Sequence, residues 1–212
     1  MVQIFYYRCN ERMPPAVFQH YLAQVPPFTQ KKIQSFKHWQ DAERSLAGNI
    51  LLLKGLKEMN ITGIELARLQ YNAFQKPYFD NQVQFNISHS GLYTICAISC
   101  TNAVGIDVEE IKEIPLGDFT EFFYYEEWQE VLNAVDPTRA FYTLWTKKES
   151  FLKVIGTGLN VPLNKIIIRN EQISWENKNW LLQPVLLDEL HVCHLCTNIP
   201  KPSFTVEAVQ LF

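Results

Sequence analysis

The sequence predicts an α+β protein built from two comparable halves, and three observations carry that reading. Short runs rich in β-branched and aromatic residues alternate with two long stretches whose apolar residues recur every three or four positions. The order of these pieces is alike in both halves: strand, helix and hairpin before residue 100, then helix followed by strands after it. The length, 212 residues, suits one large domain or two halves of about 100 residues each.

Residues 2–7 are apolar and aromatic and read as a strand, followed by a Pro14-Pro15 turn and a short helix over 16–23. Pro26-Pro27 is a second break. Over 41–59, Leu46, Ile50, Leu53 and Leu56 follow at helical spacing, with Asp41 as the expected cap. Residues 85–87, 93–99 and 104–108 read as adjacent strands separated by Ser-Gly and Thr-Asn turns. Helices are expected over 119–135 and 138–155; the second carries Phe141, Leu144, Trp145, Phe151, Leu152 and Ile155 and stops at Gly156 and Gly158. Strands are expected over 165–169, 172–175, 180–183, 191–196 and 204–211.

Composition narrows the function classes. A hydrophobic fraction of 47% with 19% charged residues is ordinary for a folded globular chain. The net charge of −3 and isoelectric point near 6.0 argue against a nucleic-acid binder, so an anionic ligand must be held by a local cluster. The start of the chain lacks the pattern of a secretory signal, and no run approaches the ~20 apolar residues of a membrane span. A cytoplasmic protein is expected. Cys9, Cys96, Cys100, Cys193 and Cys196 are odd in number and sparse, which predicts free thiols. Cys193-His194-Leu195-Cys196 lies in a strand pattern, where residues three apart point to opposite faces, so the sulfurs cannot converge on a metal.

Four segments carry chemistry. Val104-Gly105-Ile106-Asp107-Val108-Glu109 is a strand that sends Asp107 and Glu109 to one face, a carboxylate pair that calls for a cation. Oxygen ligands of this kind suit magnesium; a solvated strand end is the plain alternative. Trp145, Glu149 and Lys153 follow at four-residue spacing along one helix ridge, where a surface Glu-Lys pair is commonplace unless the ridge meets Asp107 and Glu109. Asn86-Ile87-Ser88-His89-Ser90-Gly91 reads as a strand entering a turn that presents Ser88 and His89 among backbone N–H groups able to hold phosphate. Lys31, Lys32, Lys37, Arg44 and Lys76 are the positive charges that such a ligand would use in an acidic chain; a solvated surface cluster is the plain alternative.

Taken in order, Lys76-Pro77, Asn86-Ile87-Ser88-His89-Ser90, Gly105-Ile106-Asp107-Val108-Glu109 and Trp145-Thr146-Lys147-Lys148-Glu149-Ser150-Phe151-Leu152-Lys153 resemble the 4′-phosphopantetheinyl transferase family, nearest the surfactin-synthetase-activating type. The resemblance runs from Asp41-Ala42 and Arg44 through Gly156-Thr157-Gly158-Leu159; Gln75 stands where the family often has a glycine before Lys-Pro. It implies a pseudo-dimer of two similar α+β lobes, here 1–103 and 104–212, with coenzyme A between them. It implies Asp107, Glu109 and Glu149 as magnesium ligands, and Lys31, Lys32, Arg44, Lys76, Pro77, Ser88, His89 and Lys153 as the coenzyme A-binding set. The implied reaction moves 4′-phosphopantetheine from coenzyme A to a serine of an apo acyl or peptidyl carrier protein, releasing adenosine 3′,5′-bisphosphate. Glu149 would take the serine proton, directly or through a metal-bound water, while Lys153 and His89 offset negative charge. A chain holding both lobes needs no second subunit, so a monomer is expected.

Two rivals share these residues. A metal-dependent nucleotide phosphohydrolase would use the same three carboxylates with water as nucleophile. A non-catalytic module binding coenzyme A or a carrier protein is disfavoured by the intact Asp107, Glu109, Glu149 and Lys153 set.

Overall fold

The computed structural model describes residues 1–80, 83–199 and 203–212. Its first half lays β1 (Val2–Arg8), α1 (Pro15–Leu22), α2 (Pro27–Gln34), α3 (Trp39–Glu58), the short hairpin of β2 (Gln70–Tyr71) and β3 (Pro77–Tyr78), then β4 (Gln84–Ser90) and β5 (Tyr93–Ser99). The second half follows with β6 (Val104–Glu110), α4 (Tyr125–Leu132), α5 (Pro137–Ile155), β7 (Gln172–Trp175), β8 (Lys178–Pro184), β9 (His191–Thr197) and β10 (Phe204–Ala208). Two four-stranded sheets result, in the orders β10-β1-β5-β4 and β6-β9-β8-β7.

Strand alternation sorts each sheet into two apolar faces. In the first sheet Phe5, Tyr7, Cys96 and Ile98 pack with Leu46, Ile50 and Leu51 of α3, whereas Val2, Ile4, Ile95 and Ala97 face the other way. In the second, Val192 and Cys196 share a cluster with Phe151 and Leu152 of α5, and Val104, Ile106, Val108, Cys193 and Leu195 meet Val2, Ile4 and Ile95 between the sheets. The layers are therefore helix, sheet, sheet, helix, an α+β architecture as expected. Each fully buried aliphatic or aromatic side chain contributes on the order of 1.5–3 kcal/mol.

Several elements depart from the sequence expectation. Pro26-Pro27 does not merely break the chain: Pro27 starts α2, as a proline at the first helical position can. Helix α3 starts at Trp39 after His38, so Asp41 is not its cap but sits in the first turn, paired with Arg44 at 2.8 Å. The helix expected over 119–135 is split: a 3-10 segment, Leu116–Phe122, precedes α4, and α5 begins anew at Pro137, where Asp136 accepts the Arg139 amide at 2.9 Å.

No strand forms over 165–169, for a reason visible in its hydrogen bonds. The carbonyls of Leu163 and Ile166 accept from Lys148 Nζ at 2.9 and 2.6 Å, and the Ile168 amide donates to Glu127 Oε1 at 2.8 Å. Buried side chains thus take the backbone groups that a strand neighbour would otherwise satisfy. The tail returns to the first sheet, where β10 runs parallel to β1 from Val2↔Phe204 to Tyr6↔Ala208. Cys193 and Cys196 enter different clusters on opposite faces of β9, and all five thiols are free. Among the described residues no helix is long and apolar enough to cross a membrane.

Candidate functional site

The site begins at the seam where β4 lies beside β6. The two strands are not joined by a backbone ladder; side chains of β4 do that work at every second position. Asn86 Oδ1, Ser88 Oγ and Ser90 Oγ accept the amides of Ile106, Val108 and Glu110 at 2.9, 3.3 and 3.1 Å. The same serines hold the carboxylates of β6: Ser88 Oγ lies 3.0 Å from Asp107 Oδ1, and Ser90 Oγ donates to Glu109 Oε2 at 2.7 Å. Ser88 and His89, expected in a turn, are thus inside β4, and the turn is made by Gly91 and Leu92.

Helix α5 supplies the rest. Gly105 lets its backbone lie against β6, since a β-carbon there would stand 2.0 Å from Ser150 O and 2.6 Å from Val154 N. The helix turns small residues to the sheet: Thr146 and Ser150 are fully buried. On the adjacent ridge, Lys153 Nζ donates to Asp107 Oδ1 at 2.6 Å and to Ser88 Oγ at 2.7 Å. Glu149, one turn earlier, lies within electrostatic reach of both Asp107 and Glu109. Burial above all, then Asp107 and Glu109 against the opposing pull of Lys153, pushes its carboxyl up to about 7. Burial likewise raises Glu109, with Ser90 opposing and Asp107 adding to the rise.

Two buried carboxylate oxygens here, Asp107 Oδ2 and Glu149 Oε1, have no hydrogen-bond partner. Buried carboxylate oxygens without a partner are costly unless a cation meets them, and an all-oxygen donor set fits magnesium. Yet among the described residues no three His, Cys, Asp or Glu side chains close into a ready-made metal cluster, because Asp107 turns to Lys153 and Glu109 to Ser90. The donor chemistry fits the ion, with the ammonium of Lys153 sharing the neutralising role.

The basic residues divide into near and far groups. Ile87 faces α3, where Gly48 gives it room, and His89 projects two residues on towards Arg44. The His89 side chain is exposed yet surrounded by enough protein to lose hydration; that desolvation, then the charges of Arg44 and Lys153, hold its pKa below the ordinary value. Arg44 donates to Gly91 O at 2.8 Å, and its buried Nε has no partner. Lys76 Nζ donates to Val154 O at 2.9 Å, and burial lowers its pKa to about 8. Pro77 follows in β3. Lys31 and Lys32 are exposed on α2 and are not among the charges acting on His89, Glu109 or Glu149.

Sequence reasoning missed the roles of Asn86 and Ser90 as seam residues, although small polar side chains at every second strand position were their signal. It also missed the fully buried Lys148, which pairs with Glu127 at 2.5 Å. A cleft of about 910 Å³ between α4, α5 and residues 168–171 touches none of the three carboxylates.

Residues 103–197 match the family described as 4'-phosphopantetheinyl transferase superfamily, and residues 13–101 the one described as 4'-phosphopantetheinyl transferase, N-terminal. The 4'-phosphopantetheinyl transferase gsp of Aneurinibacillus migulanus is 30% identical over 99% of this chain and 93% of its own length. The 4'-phosphopantetheinyl transferase Sfp of Bacillus subtilis is 32% identical over 73% of this chain and 70% of its own. The L-aminoadipate-semialdehyde dehydrogenase-phosphopantetheinyl transferase of Rattus norvegicus is 26% identical over 93% of this chain and 75% of its own. These relatives lend the phosphohydrolase reading no support. The chain is an enzyme and belongs to the 4'-phosphopantetheinyl transferase family.

Proposed function

We propose that this enzyme transfers 4′-phosphopantetheine from coenzyme A to a serine of an apo acyl or peptidyl carrier protein, with magnesium required and adenosine 3′,5′-bisphosphate released. The observation that carries the reading is that Asp107 on a strand and Glu149 on a helix each keep a buried oxygen without a partner, with Lys153 bonded to Asp107 and Glu109 acting on Glu149 electrostatically. Asp107, Glu109 and Glu149 would hold the magnesium, which when bound neutralises the diphosphate and makes its phosphorus easier to attack.

The residues of the chain do the remainder. The serine hydroxyl attacks the β-phosphorus; the new O–P bond forms as the bond to the bridging oxygen breaks, and the electron pair leaves with the adenosine bisphosphate. Glu149 accepts the serine proton, directly or through a water. Lys153, bonded to Asp107, and His89 offset the negative charge that builds on the transferring and leaving groups. Arg44, Lys76 with Pro77, and Ser88 line the coenzyme A side, and Lys31 and Lys32 on α2 extend the positive charge outward.

We place the division of the chain at residues 103 and 104, with coenzyme A between the lobes and the protein acting as a cytoplasmic monomer. In support, the two family matches meet between residues 101 and 103, and Ser88 and Ser90 of the first half contact Asp107 and Glu109 of the second.

The test mixes the protein with coenzyme A, magnesium and an apo carrier protein and weighs the carrier. Gain of one phosphopantetheine arm is expected for the wild type and not for Asp107→Ala or Glu149→Ala. Phosphate release without a heavier carrier would instead favour a phosphohydrolase.

A further inference from the structure

The β2–β3 hairpin belongs to the first half of the chain, but it grips the end of the helix that carries Glu149 and Lys153. Asn72 is the centre of the grip. Its Oδ1 accepts the amides of Phe74 and Lys76, both at 2.9 Å, which closes the turn, and its Nδ2 donates across to Gly156 O at 2.8 Å. Because Oδ1 is committed to two donors, Nδ2 is fixed as the donor to Gly156.

The helix end is shaped to receive it. Gly156 adopts φ of 74°, and a β-carbon there would stand 3.0 Å from Asn72 Nδ2 and 2.8 Å from Lys76 Cδ. Only glycine serves both the left-handed backbone and the close approach. Lys76 Nζ takes Val154 O, one of the last four carbonyls that a helix leaves unpaired. Lys153, whose ammonium must reach Asp107, lies in that same last turn.

We propose that Asn72 is a positioning residue: its bond to Gly156 fixes the last turn of α5 so that Lys153 and Glu149 meet the carboxylates of β6. The inference rests on the transferase reading for its catalytic consequence but not for its structural one. Asn72 touches neither reacting group and acts through the helix.

Asn72→Asp separates the two uses of the side chain. It keeps the oxygen that closes the hairpin, removes the donor to Gly156, and sets a negative charge against a helix C-terminus. Amide hydrogen exchange over residues 152–156 should quicken by about tenfold, with the strands of the first sheet unchanged. In the carrier-loading assay kcat should fall by about tenfold while KM for coenzyme A stays near the wild-type value.

Wild-type exchange in the last turn together with wild-type kcat would overturn the proposal. So would a rise in KM at constant kcat, which would make Asn72 a ligand contact, or faster exchange throughout the chain, which would make its role general stability. If the wild type itself loads no carrier, the transferase reading fails, and the exchange comparison alone decides on the helix grip.

Discussion

Ser150 O passes so close to Gly105 that a β-carbon on the glycine would stand 2.0 Å from it. This contact sets the distance between the strand of Asp107 and the helix of Glu149. The two nearest obstructing atoms, Ser150 O and Val154 N, are backbone, so no side chain can swing aside to make room. Gly105→Ala should lower stability by about 3 kcal/mol or more, the upper range for overpacking, and separate Lys153 from Asp107. Chemical denaturation measures the first effect. A midpoint equal to the wild type would mean that the helix does not lie where the structure has it.

Lys148 and Glu127 form a pair that the catalytic argument does not use. The lysine is fully buried, and burial lowers its pKa while Glu127 opposes the drop. Breaking a buried pair from one side leaves an uncompensated charge. Glu127→Leu and Lys148→Met should each cost about 3 to 5 kcal/mol, and the double variant less than their sum. Additive losses in denaturant titrations would show that the two side chains do not depend on each other.

That pair also marks the limit of what the sequence could disclose. The seven-residue strands, both long helices and the facing of Asp107 with Glu109 follow from period-2 and period-3.6 patterns that local physics enforces. The apolar run at Ile166, Ile167 and Ile168 carries the same β signal but makes no strand, because its partners are the side chains of Lys148 and Glu127 from distant helices. Similarly, the nearby Ser-Gly signal points to a turn at Ser88 and His89. The ladder to β5 extends to Ser90↔Tyr93 and keeps them in the strand. Long-range hydrogen bonding of this kind leaves little trace in a local pattern.

His194 gives the stability a pH dependence. It faces Asp107 across the β6–β9 ladder, and its Nδ1 lies 2.8 Å from Thr146 Oγ1. That hydroxyl also donates to Tyr142 O at 2.7 Å, which leaves Nδ1–H as the donor of a neutral ring. Burial, then the charge of Lys147, lowers its pKa from 6.5 to about 3. Between these values the unfolded chain binds more protons than the folded one, so stability falls as pH drops. The slope from this group should be about 1.4 kcal/mol per pH unit, vanishing above pH ~6.5. Denaturation of wild type and His194→Asn from acid to neutral pH should give curves that converge on acidification, as the wild type alone loses this contribution. A constant difference across that range would contradict the assignment.

In the proposed function Asp107, Glu109 and Glu149 share one divalent ion, and direct binding of manganese, read by its electron spin resonance, tests this without catalysis. The wild type with coenzyme A should take up one ion per chain, and Glu149→Gln, alike in shape, should weaken that binding by at least about tenfold with an unchanged melting temperature. Equal affinity and stoichiometry in Glu149→Gln would mean that the helix carboxylate is no part of the ion's site.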